Sequence, residues 1–138
     1  MRDILFRGKR IDNGDWVEGS LVVWPDGQTD ICFSENGDFF EMAKTIVLAE
    51  TVSQYTGLSD KNGKKIFEGD IVVICYETDG EEFSETKRVH YNEKECCWYP
   101  MRWEECCEHC DHYTEVKSIE VIGNIHDNPE LLGGGEDG

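Results

Sequence analysis

The residues best equipped for chemistry lie in one stretch, where Cys96-Cys97 is followed by Cys106-Cys107-Glu108-His109-Cys110-Asp111-His112. Thiolate and imidazole donors suit Zn2+, which takes four such ligands in a tetrahedron. Cys107 and Cys110 form a Cys-x-x-Cys pair, in which the intervening turn points both sulfurs at one ion. His112 or His109 offers a third donor, and Cys96 or Cys97 a fourth from a neighbouring strand. The metal reading therefore takes Cys96, Cys107, Cys110 and His112 as its ligand set. Four protein ligands would staple a loop with little apolar content. Three ligands and an open water position would instead make a metalloenzyme.

Two other readings stand beside the metal. Trp103, Cys106, Cys107 and Cys110 recur at helical spacing, so a short helix would hide the thiols as small apolar groups. Redox chemistry is the third reading. A thioredoxin-like form of it lacks the βαβ context that such a Cys-x-x-Cys needs. The acids Glu104, Glu105, Glu108 and Asp111 would also raise the thiol pKa values and disfavour a reactive thiolate. Seven cysteines, an odd number, argue against a disulfide framework. The opening Met1-Arg2-Asp3-Ile4-Leu5-Phe6-Arg7 has no long apolar stretch of the secretory kind, so reduced thiols and a cytoplasmic location are expected.

Other routes to catalysis have no support in the residues. There is no Gly-x-x-x-x-Gly-Lys or Gly-x-Gly-x-x-Gly loop for phosphate binding. The serines lack nucleophile-elbow context. Carboxylate pairs such as Glu81-Glu82 follow from the abundance of acids, 30 against 13 basic residues. No catalytic or cofactor-binding residue is assigned, and the balance leans away from an enzyme. The net charge of −17 repels nucleic acid and anionic lipid at long range. Without a basic groove, Trp16, Trp24, Trp98 and Trp103 read as core anchors or an interface rather than as base-stacking platforms. The acidity suits a basic host or phage protein as partner, or a chain that imitates nucleic acid.

The elements that would position these groups are mostly strands. With 138 residues and a 38% hydrophobic share, the chain fits one domain with a thin core, or two small halves. Its longest apolar run, Ile71 to Tyr76, has the length of a buried strand and falls far short of the roughly 20 residues of a membrane helix. Ile4–Ile11 and Trp16–Val23 flank Asp12-Asn13-Gly14-Asp15, a hairpin signal. Pro25-Asp26-Gly27 and Glu35-Asn36-Gly37-Asp38 mark further turns around Ile31-Cys32-Phe33 and Phe39–Met42. Thr45–Leu48 and Thr51–Thr56 are β-rich. Asp79-Gly80-Glu81-Glu82 reads as a polar bend before a strand at Thr86–Tyr91. Pro100 confines a strand at Cys96–Trp103 to an edge or bulge. Val116–Ile122 alternates only in part, and Asn128-Pro129-Glu130 reads as an N-cap opening a helical turn. Many short strands at regular spacing point to a barrel or a sandwich.

Two long segments carry a family resemblance. The run Tyr55-Thr56-Gly57-Leu58-Ser59-Asp60-Lys61-Asn62-Gly63-Lys64-Lys65-Ile66-Phe67-Glu68-Gly69-Asp70-Ile71-Val72 resembles the central signature of the YopX family. The run from Glu120 through Gly123-Asn124-Ile125-His126-Asp127-Asn128-Pro129 to Leu132 resembles its closing motif. The opening from Ile4 to Trp16 is a looser match, and Glu77–Glu115 matches only in outline. The resemblance implies a mostly-β fold, with an SH3-like barrel over 55–132 packed with β-hairpins over 1–54. The two parts would form a single domain over 1–132, followed by a disordered tail at 133–138. It also implies a phage or prophage origin, with homo-oligomerisation among its possibilities, and it carries no assigned activity.

On the residues alone, the shared motifs have a structural reading. Glycines 57, 63 and 69 free the backbone at turns, and Asp60 and Asn62 make local turn bonds. Asp70 accepts amide hydrogens where the chain enters a strand. Tyr55, Ile66, Phe67, Ile71, Val73, Val121 and Ile125 are the core candidates, and a pocket lined by Tyr55, Asp60 and Asp70 is the competing view.

Overall fold

The computed structural model describes residues 4–34, 42–94, 96–100 and 114–132. The chain divides into two compact units, Met1–Gly57 and Leu58–Gly138. The first carries β1 (Phe6–Lys9), β2 (Trp16–Val23), β3 (Thr29–Ser34), β4 (Met42–Ile46) and the start of β5 (Ser53–Ser59). These strands are antiparallel neighbours in the order β4-β3-β2-β1-β5.

Local chemistry sets the turns between β1 and β2 and between β2 and β3. Between β1 and β2, Gly14 adopts φ +75 while Asn13 Oδ1 accepts the Asp15 amide at 2.9 Å. Between β2 and β3, Gly27 adopts φ +94 and Asp26 Oδ1 accepts the Gln28 amide at 2.9 Å. Both glycines hold left-handed backbone that an L side chain resists.

The sheet then curls. Arg10 bridges Val47, the Ile11 amide donates to the Ile46 carbonyl at 3.1 Å, and the Leu48 amide donates to the Lys9 carbonyl at 2.9 Å. The end of β4 thus returns to the end of β1. The concave side is narrow and holds the fully buried Ile31 and Val47. It is narrow because β1 and β2 present glycine there. A Cβ on Gly8 would lie 3.0 Å from a Val47 methyl, and one on Gly19 would lie 2.1 Å from the Cys32 carbonyl oxygen.

On the other side of the sheet, polar groups are buried with partners. Asp30 accepts from Trp24 Nε1 at 2.8 Å and from Gln28 Nε2 at 3.1 Å. The guanidinium of Arg7 lies 4.7 Å from the centre of the Trp16 ring, a cation–π contact.

The second unit carries β6 (Lys65–Phe67), β7 (Asp70–Thr78), β8 (Glu81–Arg88), β9 (His90–Asn92), β10 (Cys97–Tyr99) and β11 (Thr114–Asn124). The central strand β7 pairs antiparallel with β11 on one side and β8 on the other, while β9 and β10 form a two-stranded ribbon. Its core gathers Ile66, Val72, Ile74, Val89 and Val121, with Tyr76, Trp98, Val116 and Ile119 packed against them. Each aliphatic side chain buried in this way contributes about 1.5–3 kcal/mol relative to exposure.

A β-bulge explains the imperfect alternation of β11. The register shifts between Val116 and Ser118, so Lys117 is the extra residue. Val116 and Ile119, of opposite parity in the sequence, therefore share the core face with Val121.

The mostly-β expectation holds, with short 3-10 turns at Ala49–Thr51 and Pro129–Leu132. Details differ from the sequence reading. Glu81 and Glu82 belong to β8, because the Asp79-Gly80 pair alone makes the turn, at φ 53 and 83. The strand expected over 86–91 is two, broken at the buried Val89. Val73 and Ile125 are only half-buried, and Val72 and Ile74 take the core positions because they share Tyr76's face of β7. Among the described residues, no ladder joins the β9–β10 ribbon to the β11-β7-β8 sheet, so these strands do not close into a barrel. No helix among the described residues is long and apolar enough to cross a membrane.

The glycine requirement in the first unit is testable. Gly19→Ala should lower stability by about 3 kcal/mol, because the new methyl meets a backbone carbonyl that cannot rotate away. Gly27→Asn, in open space at a left-handed position, should cost about 1 kcal/mol or less. Urea unfolding of both variants checks the contrast.

Candidate functional site

The polar residues of the central segment converge on the backbone. Asp60 opens a tight turn in which its amide donates to the Lys64 carbonyl at 2.8 Å and Gly63 stands at φ +82. One carboxylate oxygen, Oδ1, accepts the amides of Asn62 and Lys64, each at 2.9 Å. The other, Oδ2, accepts the amide of Val121 at 2.9 Å, 61 residues further along the chain. The Lys61 amide adds a bond to the Ile119 carbonyl at 2.9 Å. One buried carboxylate thus joins the turn before β6 to β11.

Burial pushes the Asp60 carboxyl pKa up, but the amides of Val121, Lys64 and Asn62 and the charge of Lys64 outweigh it. The net position is below the ordinary carboxylate value.

Asp70 makes a second tie. Its side chain is fully buried, and Oδ2 accepts the Phe67 amide at 2.8 Å. Around it, the Gly69 amide donates to the Val89 carbonyl, the Val89 amide to the Asp70 carbonyl, and the Ile125 amide to the Gly69 carbonyl. Gly69 sits at φ +86.

The closing segment is tied in the same manner. Asn124 Oδ1 accepts the amides of His126 at 3.0 Å and Asp127 at 2.9 Å. Asn128, expected to cap the turn that follows, instead points its Oδ1 back to the Asn124 amide at 3.3 Å. The 3-10 turn Pro129–Leu132 still opens after Asn128, whose carbonyl accepts the Leu131 amide at 3.1 Å, while the Asn124 side chain caps the turn before it. Gly123 makes room for this arrangement, since a Cβ there would lie 2.6 Å from Asn128 Oδ1.

Of the residues considered as a pocket lining, Asp60 and Asp70 have carboxylates bonded to main chain. Sequence reasoning anticipated local turn bonding for Asp60. It missed the bond to Val121, for which no local signal exists.

Of the proposed metal ligands, Cys96 is described. It is exposed at φ 54, with Sγ 3.6 Å from the Glu93 carbonyl oxygen. Cys107, Cys110 and His112 lie outside the described residues, as do His109, Trp103 and the tail at 133–138. Among the described residues, no three of His, Cys, Asp and Glu are grouped to hold a metal ion.

The β9–β10 ribbon sets Tyr91 against Trp98 edge-on at 5.2 Å and His90 near Tyr99 at 5.5 Å. On β7, the Tyr76 hydroxyl donates to Glu85 at 3.0 Å. Burial and then that neighbouring carboxylate raise its pKa, so it is a neutral donor at physiological pH.

A family model described as YopX protein matches residues 5–133. This chain belongs to the YopX family. Nearly the whole YopX chain is covered by that match, including both tied segments. Among solved structures, it is similar to protein EF1440 from Enterococcus faecalis, at 24% identity and a TM-score of 0.52. That likeness covers 96% of this chain and 99% of the other and concerns the fold. No curated protein matches.

The Asp60 tie has a pH signature. Its folded pKa lies below the unfolded value of about 4, so the unfolded state binds the extra proton in between. The stabilisation is therefore complete above about pH 4 and is lost as the pH falls through the folded value. Asp60→Ala should cost about 2–4 kcal/mol at pH 7, and Asp60→Asn about 1–3, since an amide nitrogen would face the Val121 N–H. The gap in Tm between wild type and Asp60→Asn should narrow as the pH is lowered from 7 to about 3.

Proposed function

We propose that this chain is a non-enzymatic phage or prophage accessory protein that binds a basic host or phage protein in the bacterial cytoplasm. The observation that carries the reading is the engagement of both family segments with main chain. Asp60, Asp70 and Asn124 each hold backbone amides of their own fold, so the shared residues build a scaffold. What the scaffold offers to others is its surface. That surface combines a net charge of −17 with exposed apolar side chains such as Ile4, Val23, Ile11 and Met42. Acidic fields speed encounter with basic partners, and apolar groups then hold the contact.

Within this proposal, residues 1–132 act as one YopX-like domain, with 55–132 as an SH3-like barrel. Support for the barrel comes from the common core of the second unit, in which residues of β6, β7, β10 and β11 pack together. A second reading, a nucleic-acid mimic, draws on the register of the central sheet. Glu77 stands opposite Glu82 on one side and Glu115 on the other, so acids line up across three strands.

Immobilised full chain should capture a basic protein from bacterial host lysate at low ionic strength and release it by about 0.5 M salt. Empty capture at low salt would overturn the proposal. Displacement of the captured protein by duplex DNA would favour the mimic.

A further inference from the structure

We propose that Asn13 is a covalent modification site, where the side-chain amide closes onto the Gly14 nitrogen as a succinimide and opens in water to aspartate or isoaspartate. The chain holds Asn-Gly pairs at 13, 36 and 62, and the middle one lies outside the described residues. Glycine matters because its nitrogen must approach the preceding side chain, and a Cβ would obstruct that approach. Gly14 and Gly63 both stand in open space, at φ +75 and +82. Each of their amides donates to a main-chain carbonyl at 3.0 Å. On these counts the two described pairs are alike.

The side chain separates them. Asn13 Oδ1 accepts the Asp15 amide at 2.9 Å. That bond folds the side chain over the main chain that follows it, and so holds Cγ on the side of the Gly14 nitrogen. It also draws electrons from the side-chain carbonyl and is aimed at the oxyanion that forms on attack. Asn62 is held differently, because its main-chain amide makes the bond to Asp60. Among the described residues, no hydrogen bond reaches its side-chain oxygen. Asp60 also ties that turn to Lys64 and Val121, which resists the backbone rotation that ring closure needs.

The side chains of Asn92 and Asn124 accept amides as Asn13 does, but Glu93 and Ile125 follow them. Among the described residues, Asn13 alone combines the bond with a following glycine.

The step balances without oxidant or reductant. The bond from the Gly14 nitrogen to Cγ of Asn13 forms, and the Cγ–Nδ2 bond breaks. The side-chain nitrogen departs as ammonia and takes the amide proton with it. Water then adds at either ring carbonyl and gives an aspartyl or an isoaspartyl residue. Both products place a new negative charge between Asp12 and Asp15. The isoaspartyl form also lengthens the main chain of the β1–β2 turn by one carbon.

Peptide mapping by mass after incubation of the full chain in mildly alkaline buffer tests this. Conversion at Asn13 should run about tenfold faster than at Asn62, since an exposed donor gives less than a buried oxyanion donor does. In concentrated urea, where only the local sequence acts, the ratio should fall to near one. Asp15→Pro removes the donating amide and keeps the Asn-Gly pair, so its ratio in native buffer should also fall to near one. Native conversion at Asn13 no faster than at Asn62, or a ratio that urea leaves unchanged, overturns the proposal. So does a folded Asp15→Pro chain that keeps the full ratio. Should that variant fail to fold, the comparison of native buffer with urea decides alone. Capture of a basic partner is a separate property and does not alter these outcomes.

Discussion

A carboxylate that leaves water must replace its hydration with donors, and in this protein the donors are main-chain amides. Asp60 takes three of them, two from its own turn and one from Val121. The local pair shapes the turn, and the distant bond sets where β11 lies beside it. Burying the charge alone would be costly. Three charge-assisted bonds offset that cost and make the site directional. The core residues Val121 and Ile119 are brought into place by the same strand, so hydrophobic packing and polar satisfaction agree on one arrangement.

The same device recurs at Asp70 and Asn124, and its recurrence accounts for the character of the family segments. Each couples a glycine or a turn with a short polar side chain that accepts amides. Such residues look like chemistry in a sequence, because acids and amides are also what catalysis uses. Here their lone pairs are engaged with the fold itself. The binding role proposed above draws instead on the chain's net charge of −17 and on exposed apolar side chains such as Ile4, Val23, Ile11 and Met42.

Much of this could be anticipated from local pattern. The hairpin turns at Asn13-Gly14 and Asp26-Gly27 follow from the need for positive φ, and β2 runs over the residues expected of it. β7 was readable as a buried apolar run. The misreadings have two separate causes. Glu81 and Glu82 look like a bend because strand edges facing water tolerate charge, so polarity alone does not distinguish an edge strand from a loop. The alternation of β11 looks irregular because a bulge changes parity at Lys117, and a bulge leaves no sure mark in a single sequence. For the candidate site, turn bonding by Asp60 was legible from Asp60, Asn62 and Gly63, while most of the Cys/His patch lies outside the described residues.

Class, turn positions, acidity and the identity of the tied segments all rest on interactions within a few residues or on composition, which is why the amino-acid order sufficed for them. The bond from Asp60 to Val121, the return of β4 to β1 and the choice of Val72 and Ile74 for the core join residues distant in the chain. Those depend on strand register and sheet curvature, which arise only when many weak contacts are satisfied at once. Gly19 shows the difference plainly. By composition it weakens a strand, yet in the folded sheet its missing side chain is what lets the Cys32 carbonyl approach.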